Sequence, residues 1–595
     1  MPESGSKAGA TTTEKIHELM KVALGEAEAD LAIVGGDIVN VYTGEVLTRD
    51  TVLIKGDKIA YVGKNAGKSI GSSTQVIDAS GNTLIPGFID GHTHMDYIHS
   101  VSELLKYAIK SGTTTIITES TQIAFPLGYQ GIIQFLKATK NQPLKIFSVA
   151  PLMATISPLA REHAITTGEL RKLLRRKEVI GLGESYWNYV IQGDQRILDF
   201  IAETKKSGKK LDGHGAGARD NKLQAYISSG ISSCHESTTV EEIMERLRLG
   251  ALVLIREGWV RSELKVVFKI KDEKIDFRKL ALSSDGTQPG RLFTEGYMES
   301  IVQKAIDLGF EPVTAIQMAT INIAQHLGMD NFIGGIAPGK YADIVIIPDI
   351  RTIQPEYVIS NGQVIAKNGQ IVVQPRKHAF PKTMKSSVHL TRNFDATDFA
   401  IPLESNSNKA RVRVIEQVTG LVTREAIMDV PVSDGLLQSD TSEDILKVAA
   451  IERTYLPGKT FVGFIRGTGL KRGAIATSTT WDTCDIIVVG THEADMARAV
   501  NRLKELDGGI VVCDGNKILA EISLPFGGIF STQPMEILAH ELQDIQQAAA
   551  NMGCALPDIC VTLSVLSTPA IPYLRICEQG LVDIKQNRFV DLIVD

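Results

Sequence analysis

The chain has 595 residues, 43% hydrophobic and 22% charged, with a formal net charge of −6. That is ample material for several large cores, and the mild negative balance gives no reason to expect nucleic acid as a partner. Six cysteines without a CxxC pair or a dense framework point to a reducing cytosol.

Residues 1–12 are rich in Ser, Gly, Ala and Thr, and Thr13 to Ala29 has helical spacing at Ile16, Leu19, Met20, Val22 and Leu24. An N-terminal helical segment is therefore predicted over 1–29. The start has no apolar h-region, and no apolar run approaches the roughly 18 residues of a membrane span. A cytoplasmic location with no membrane contact is expected.

From Asp30 short β runs alternate with turn residues, as in LAIVGGDIVNVYTGEVL and TVLIKGDKIAYVG, and the same texture returns in GGIAPGKYADIVIIPDI and VISNGQVIAKNGQIVV. A small β-domain split between 30–85 and 331–375 is predicted. Between 86 and 330, strand-like runs at 113–118, 145–149, 179–184, 210–214, 231–236, 252–256 and 280–285 alternate with amphipathic stretches at 101–110, 170–176 and 240–249. With the run ending at His92 these make eight strands with helical crossovers, the pattern of a (β/α)8 barrel. Helices are expected at 297–308 and 312–327. Beyond a basic connector, 388–595 reads as a C-terminal α/β domain, with strands at 485–489 and 509–513 and helices at 494–505 and 535–551.

The segment PGFIDGHTHMD, residues 86–96, organises the rest. Residues two apart on a strand face the same side, so His92 and His94 present two imidazoles to one point, half of a metal shell. An isolated H-x-H means little. Here, however, metal-binding side chains recur where a barrel places function, at the C-terminal ends of strands. They are Glu184 in GLGES, His214 in DGHG, His235 in SSCHE and Asp285 in SSDG. Four imidazoles and two carboxylates can hold two divalent cations, with Glu184 suited to bridge them. Asp285 could both ligate a metal and shuttle a proton. Glu236 could transfer protons or meet a ring nitrogen, or be a solvated neighbour of the helix near Thr238. Trp187, behind Glu184, could stack on a planar substrate or pack in the core.

The HTH strand, the later His/His/Asp set and the closing GGIAPGKYADIVII resemble the amidohydrolase superfamily. More narrowly, the chain resembles bacterial and archaeal adenine deaminases over nearly its whole length. GTTTIIT, the stretch from His214 to Gly258, DIIVVGTHEADMARAVNRLKELDGGIVV and LPFGGIFS carry that likeness. The resemblance implies a binuclear site, commonly manganese or iron (zinc also suits the ligands), bridged by Glu184. It also implies a homodimer and a small heterocyclic substrate.

Four segments depart from the family's pattern. Met95-Asp96-Tyr97 stands for Ile-Glu-Ser, and Glu119-Ser120-Thr121-Gln122 for Asp-Pro-His-Glu. Ser284-Asp285-Gly286 stands for Thr-Asp-Asp, and Trp481-Asp482-Thr483-Cys484-Asp485 for His-Asp-Ser-His-Asn. Asp96 and Glu119 join Trp187 as candidate substrate contacts. The expected chemistry is hydrolysis of a C–N bond in a purine-like ring, adenine to hypoxanthine and ammonia. Alternatives are ring opening of an oxidised purine or related cyclic amide, and a non-catalytic metal- or purine-binding relative.

Overall fold

The computed structural model describes residues 11–385, 387–404 and 407–594, so most of the Ser/Gly/Ala/Thr-rich start at 1–12 lies outside the described residues. The N-terminal helix spans Thr12–Leu24 and is opened by a Thr11/Glu14 capping box. It ends five residues before the predicted Ala29, because Gly25 adopts φ +79° and returns its N–H to Lys21 and Val22. Its buried Val22 and half-buried Leu19 pack against Ala32, Leu53 and Ala60.

One sheet joins strands from both sides of the barrel in sequence. Ile344–Ile347 runs antiparallel to Thr83–Pro86, which lies parallel to Leu31–Asn40. The chain therefore leaves this sheet at Pro86, runs through the barrel and returns at Ile344.

The barrel strands are β1 (Phe88–Thr93), β2 (Thr113–Thr118), β3 (Lys145–Ala150), β4 (Val179–Tyr186), β5 (Lys210–His214), β6 (Ser233–Cys234), β7 (Leu252–Arg256) and β8 (Leu280–Ser283). β1 to β5 pair in parallel, as do β6 to β8. The ring is completed by Ser232 N–H to Leu211 O at 3.2 Å and by Asp285 N–H to His92 O at 3.0 Å. That second bond fixes Asp285 beside β1. The helix predicted over 312–327 is two, Pro312–Met318 and Ile321–Leu327, divided by non-helical backbone at Thr320.

Residues 409–523 form a nine-stranded sheet. Its strand Asp485–Gly490 sends Ile486 and Val488 into the core shared with the helix Glu493–Glu505. Ile487 and Val489 enter the core shared with Met535–Asn551. Both faces are covered, which explains the unbroken apolar run IIVV. Residues following the HTH segment are built into this part of the molecule. Ile98 and His99 pair with Phe530 and Ser531, and Tyr97 and Ile98 lie in the same core as Leu538 and Leu542. The C-terminal part is thereby fastened across the top of the barrel. No helix among the described residues is long and apolar enough to cross a membrane.

Candidate metal centre

All six predicted ligands converge, and all are buried. Two overlapping sets form, His92, His94, Glu184 and Asp285, and Glu184, His214 and His235, with ligand atoms in each set within 4.8 Å of one another. Asp285 Oδ1 lies 3.2 Å from His92 Nε2 and 3.5 Å from His94 Nε2. Glu184 Oε1 lies 3.8 Å from both of those nitrogens, 3.3 Å from His214 Nδ1 and 3.4 Å from His235 Nε2. Glu184 thus stands in both sets, where the sequence puts the bridge.

The strands explain the geometry. Asp90 and His92 lie two residues apart on β1, and His94 follows just beyond its end. Asp90 is fully buried beneath the histidines and accepts from the Ser284 and Tyr297 hydroxyls, both at 2.6 Å. Asp285 sits at φ +51°, a left-handed backbone that Asp tolerates better than most residues and that costs some strain.

The imidazoles of β1 are aimed from behind. His92 Nδ1 meets Asp212 Oδ2 at 3.3 Å, and His94 Nδ1 meets Gln122 Oε1 at 3.1 Å. Each partner holds one ring nitrogen and leaves Nε2 for a ligand, the usual arrangement behind metal-binding histidines. The donor set fits divalent cations. His92 Nε2, His94 Nε2, His214 Nε2 and Glu184 Oε2 are buried without a hydrogen-bond partner. His214 Nδ1 and His235 Nε2 face each other at 3.2 Å. Buried polar atoms left in this state are costly unless a charge satisfies them.

Burial pushes the Glu184 carboxyl up, but His94 and His214 outweigh it and hold the group well below the usual carboxylate range. At Asp285 burial is likewise overcome, chiefly by Arg256 and then by His92 and His94, and the carboxylate stays well below its ordinary value.

Arg256 is a feature that the strand reading of LVLIR passed over. It ends β7, is 2% exposed, and donates to Asp285 Oδ2 at 3.0 Å, to Glu263 at 2.7 and 3.0 Å, and to both oxygens of Glu236. Glu236 is therefore an ion-paired carboxylate, not a solvated cap. Burial raises its pKa, but Arg256 and then His214 bring it down to about 2. Its Oε1 also lies 3.6 Å from His214 Nε2 and 3.5 Å from His235 Nε2.

The three candidate substrate contacts lie in different settings. Asp96 is buried, and its Oδ2 accepts from Ile123 N–H at 3.0 Å, in the first turn of the helix Thr121–Thr139. Burial lifts its pKa to about 6 against the pull of His94. Glu119 accepts from the Glu184 N–H and the Thr121 hydroxyl, both at 3.2 Å, and a Cβ on Gly183 would lie 2.2 Å from its Oε2. Glu119 thus braces the end of β4, with its pKa pushed up to about 8 by burial and by Glu184. Trp187 donates its indole N–H to Ala216 O at 2.7 Å, and the Lys222 ammonium stands over its ring.

The indole beside the ligands is instead Trp481, 5.3 Å from the His94 ring between centroids. It comes from the C-terminal sheet, nearly 300 residues beyond Glu184. Asp212 did carry a sequence signal, standing two residues before His214 on β5. Gln122 and Trp481 stood in two of the segments that depart from the family's pattern, without a sign of what either would touch.

A barrel with this His/Glu/Asp cluster at the C-terminal ends of its strands is a metal-dependent hydrolase of the amidohydrolase class, and the Amidohydrolase family model matches residues 83–372. The Adenine deaminase C-terminal domain model matches residues 420–588. The chain is 36% identical to the adenine deaminase of Moorella thermoacetica over 98% of both chains. It is 35% identical to that of Clostridium botulinum over 97% of both. With the Dehalococcoides mccartyi adenine deaminase the identity is 36%, over 97% of this chain and 99% of the other. The chain belongs to the adenine deaminase family.

Proposed function

We propose that the protein hydrolyses adenine to hypoxanthine and ammonia. The observation that carries this reading is the convergence of His92, His94, Glu184, His214, His235 and Asp285 on one buried point in a chain of this family. These residues would hold two divalent ions, manganese or iron by the family's habit. Bound there, the ions would supply Lewis acidity that makes water acidic enough to attack near neutral pH.

The chain's own groups do the rest. Asp285, kept ionised by Arg256, accepts a proton as the water oxygen bonds to C6 of the ring. It returns that proton to the exocyclic nitrogen, so that the C6–N6 bond breaks with ammonia as the leaving group. Glu236 has both oxygens on Arg256. It serves here to hold that guanidinium against Asp285 more than to carry protons itself. Asp212 and Gln122 keep His92 and His94 in register, and Glu119 holds the backbone of Glu184. A cytoplasmic homodimer completes the proposal.

The test is to load the protein with manganese, supply adenine, and measure ammonia and hypoxanthine together. Equal amounts of both are expected. Loss of the purine chromophore without hypoxanthine would mean ring opening, and absence of ammonia would refute deamination.

A further inference from the structure

Among the buried polar atoms near the cluster to which the proposed reaction gives no role, two are neighbours in the chain and come from the C-terminal domain. Trp481 and Asp482 lie in the turn between the strands Ala474–Thr477 and Asp485–Gly490. The indole N–H of Trp481 and Oδ1 of Asp482 have no hydrogen-bond partner, although the residues are only 8% and 1% exposed. Unmade hydrogen bonds of this kind are rare in a folded interior, and each calls for an explanation.

The turn is held firmly. Trp481 N–H donates to Ser564 O at 2.9 Å, and the Trp481 ring packs edge-on to Tyr97, with centroids 5.9 Å apart. Asp482, at φ +65°, takes the Tyr186 hydroxyl on Oδ2 at 2.9 Å and the Thr568 hydroxyl on the same oxygen at 2.5 Å. Tyr186 in turn stands edge-on to the His214 ring, with centroids 4.9 Å apart. Through Tyr186 and through its own ring contact with His94, this turn touches both histidine pairs. It is fixed in place and close to the ligands; Asp482 Oδ1 is left without a partner, and the indole N–H has only a weak contact with the Tyr97 hydroxyl.

We propose that Trp481 and Asp482 form a substrate-reading edge supplied by the C-terminal domain, which recognises a free purine base through a ring-nitrogen lone pair beside a ring N–H. The indole N–H donates to the lone pair, and Asp482 Oδ1 accepts from the ring N–H. A purine base offers this pair at N3 and N9–H, on the side of the ring away from C6, so the reacting carbon can face the ligands. A nucleoside carries its sugar on N9 and lacks that N–H, so the edge selects the base over the nucleoside. This rests on the reading of the site as a purine deaminase, and it adds the residues that choose the ring.

The test compares the manganese-loaded wild type with Trp481→Phe and Asp482→Asn. Ammonia release and equilibrium binding are measured for adenine, 3-deazaadenine and 9-methyladenine. Wild type is expected to prefer adenine to each analogue by about tenfold or more, the factor that 1.4 kcal/mol represents. Trp481→Phe keeps an aromatic ring against His94 and Tyr97 but loses the donor. It should bind adenine about tenfold more weakly and no longer distinguish 3-deazaadenine from it, with metal content unchanged. Asp482→Asn should lose the preference for adenine over 9-methyladenine. A merely structural role would weaken all three rings equally, and that result would overturn the proposal, as would Trp481→Phe within twofold of wild type. If the wild type bound adenine without releasing ammonia, deamination would fall, and the binding ratios would still decide the inference. No binding of any of the three rings would overturn both.

Discussion

Replacing Arg256 by Met tests the electrostatic frame of the site more sharply than replacing a ligand. The guanidinium is the shared partner of three buried carboxylates, Glu236, Glu263 and Asp285, each no more than 6% exposed. Methionine nearly preserves the volume but leaves those carboxylates facing one another without counter-charge. Removing one side of a buried ion pair typically costs about 3–5 kcal/mol. For a unit of barrel size that is roughly a 6–20 °C fall in Tm.

The pH dependence gives the cause away. In the wild type Glu236 is depressed to about 2, against burial, chiefly by Arg256, so its contribution is present above about 4.5 and lost as pH falls towards 2. Glu263 is raised to about 7, mainly by burial, and already opposes folding as pH climbs from about 4.5 to 7. In Arg256→Met all three groups are expected to be raised, so the stability that the wild type gains between about pH 2 and 4.5 is already missing at pH 5, and the deficit should grow further towards pH 8. Thermal scans of both proteins at pH 5, 6.5 and 8, alongside ammonia release, measure this. Arg256→Lys should fall between, because one ammonium cannot reach three carboxylates in the fork geometry. A Tm loss below 2 °C, or one equal at all three pH values, would refute the reasoning.

Asp285→Asn should lower kcat by at least about two orders of magnitude while only part of the metal is lost, as read by turnover and elemental analysis; activity within a few-fold of wild type would move the proton to another group. Elemental analysis of the fully loaded protein should return about two divalent ions per chain, and a chelator should abolish activity and lower Tm. Asp212→Asn and Gln122→Leu should each weaken metal affinity by about 10- to 100-fold, because they unfix the imidazoles of His92 and His94. His99 is held neutral, its pKa pushed down to about 4 by burial, and it lies in the strand that pairs with Phe530 and Ser531. Stability should therefore fall between about pH 6.5 and 4, by up to roughly 3 kcal/mol, and acid scans of His99→Phe should show that loss reduced.

What the sequence by itself determined is local or periodic. The eight barrel strands were legible because period-2 and buried apolar runs alternate with helical spacing, and the helices Val101–Lys110 and Met535–Asn551 fall where that spacing puts them. The convergence of the six candidate ligands was legible because a barrel turns chain order into a ring, so side chains at strand ends converge whatever their separation in sequence. Tertiary structure alone decided the rest. The helical run Thr121–Thr139 is broken at Gly128, where the backbone is non-helical two residues after Pro126, and the direction it takes across that kink is set by packing. Arg256 reads as one charge ending an apolar strand, and its three partners come from three separate segments. Glu236 reads equally as a proton carrier, a partner for a ring nitrogen or a solvated helix neighbour until Arg256 is placed against it. Trp481 reaches His94 only because Ile98 and His99 join a strand more than 400 residues away and draw the C-terminal sheet across the barrel mouth. Periodicity reports which face of an element is buried. It cannot report which distant side chain meets that face, since that depends on how whole elements dock.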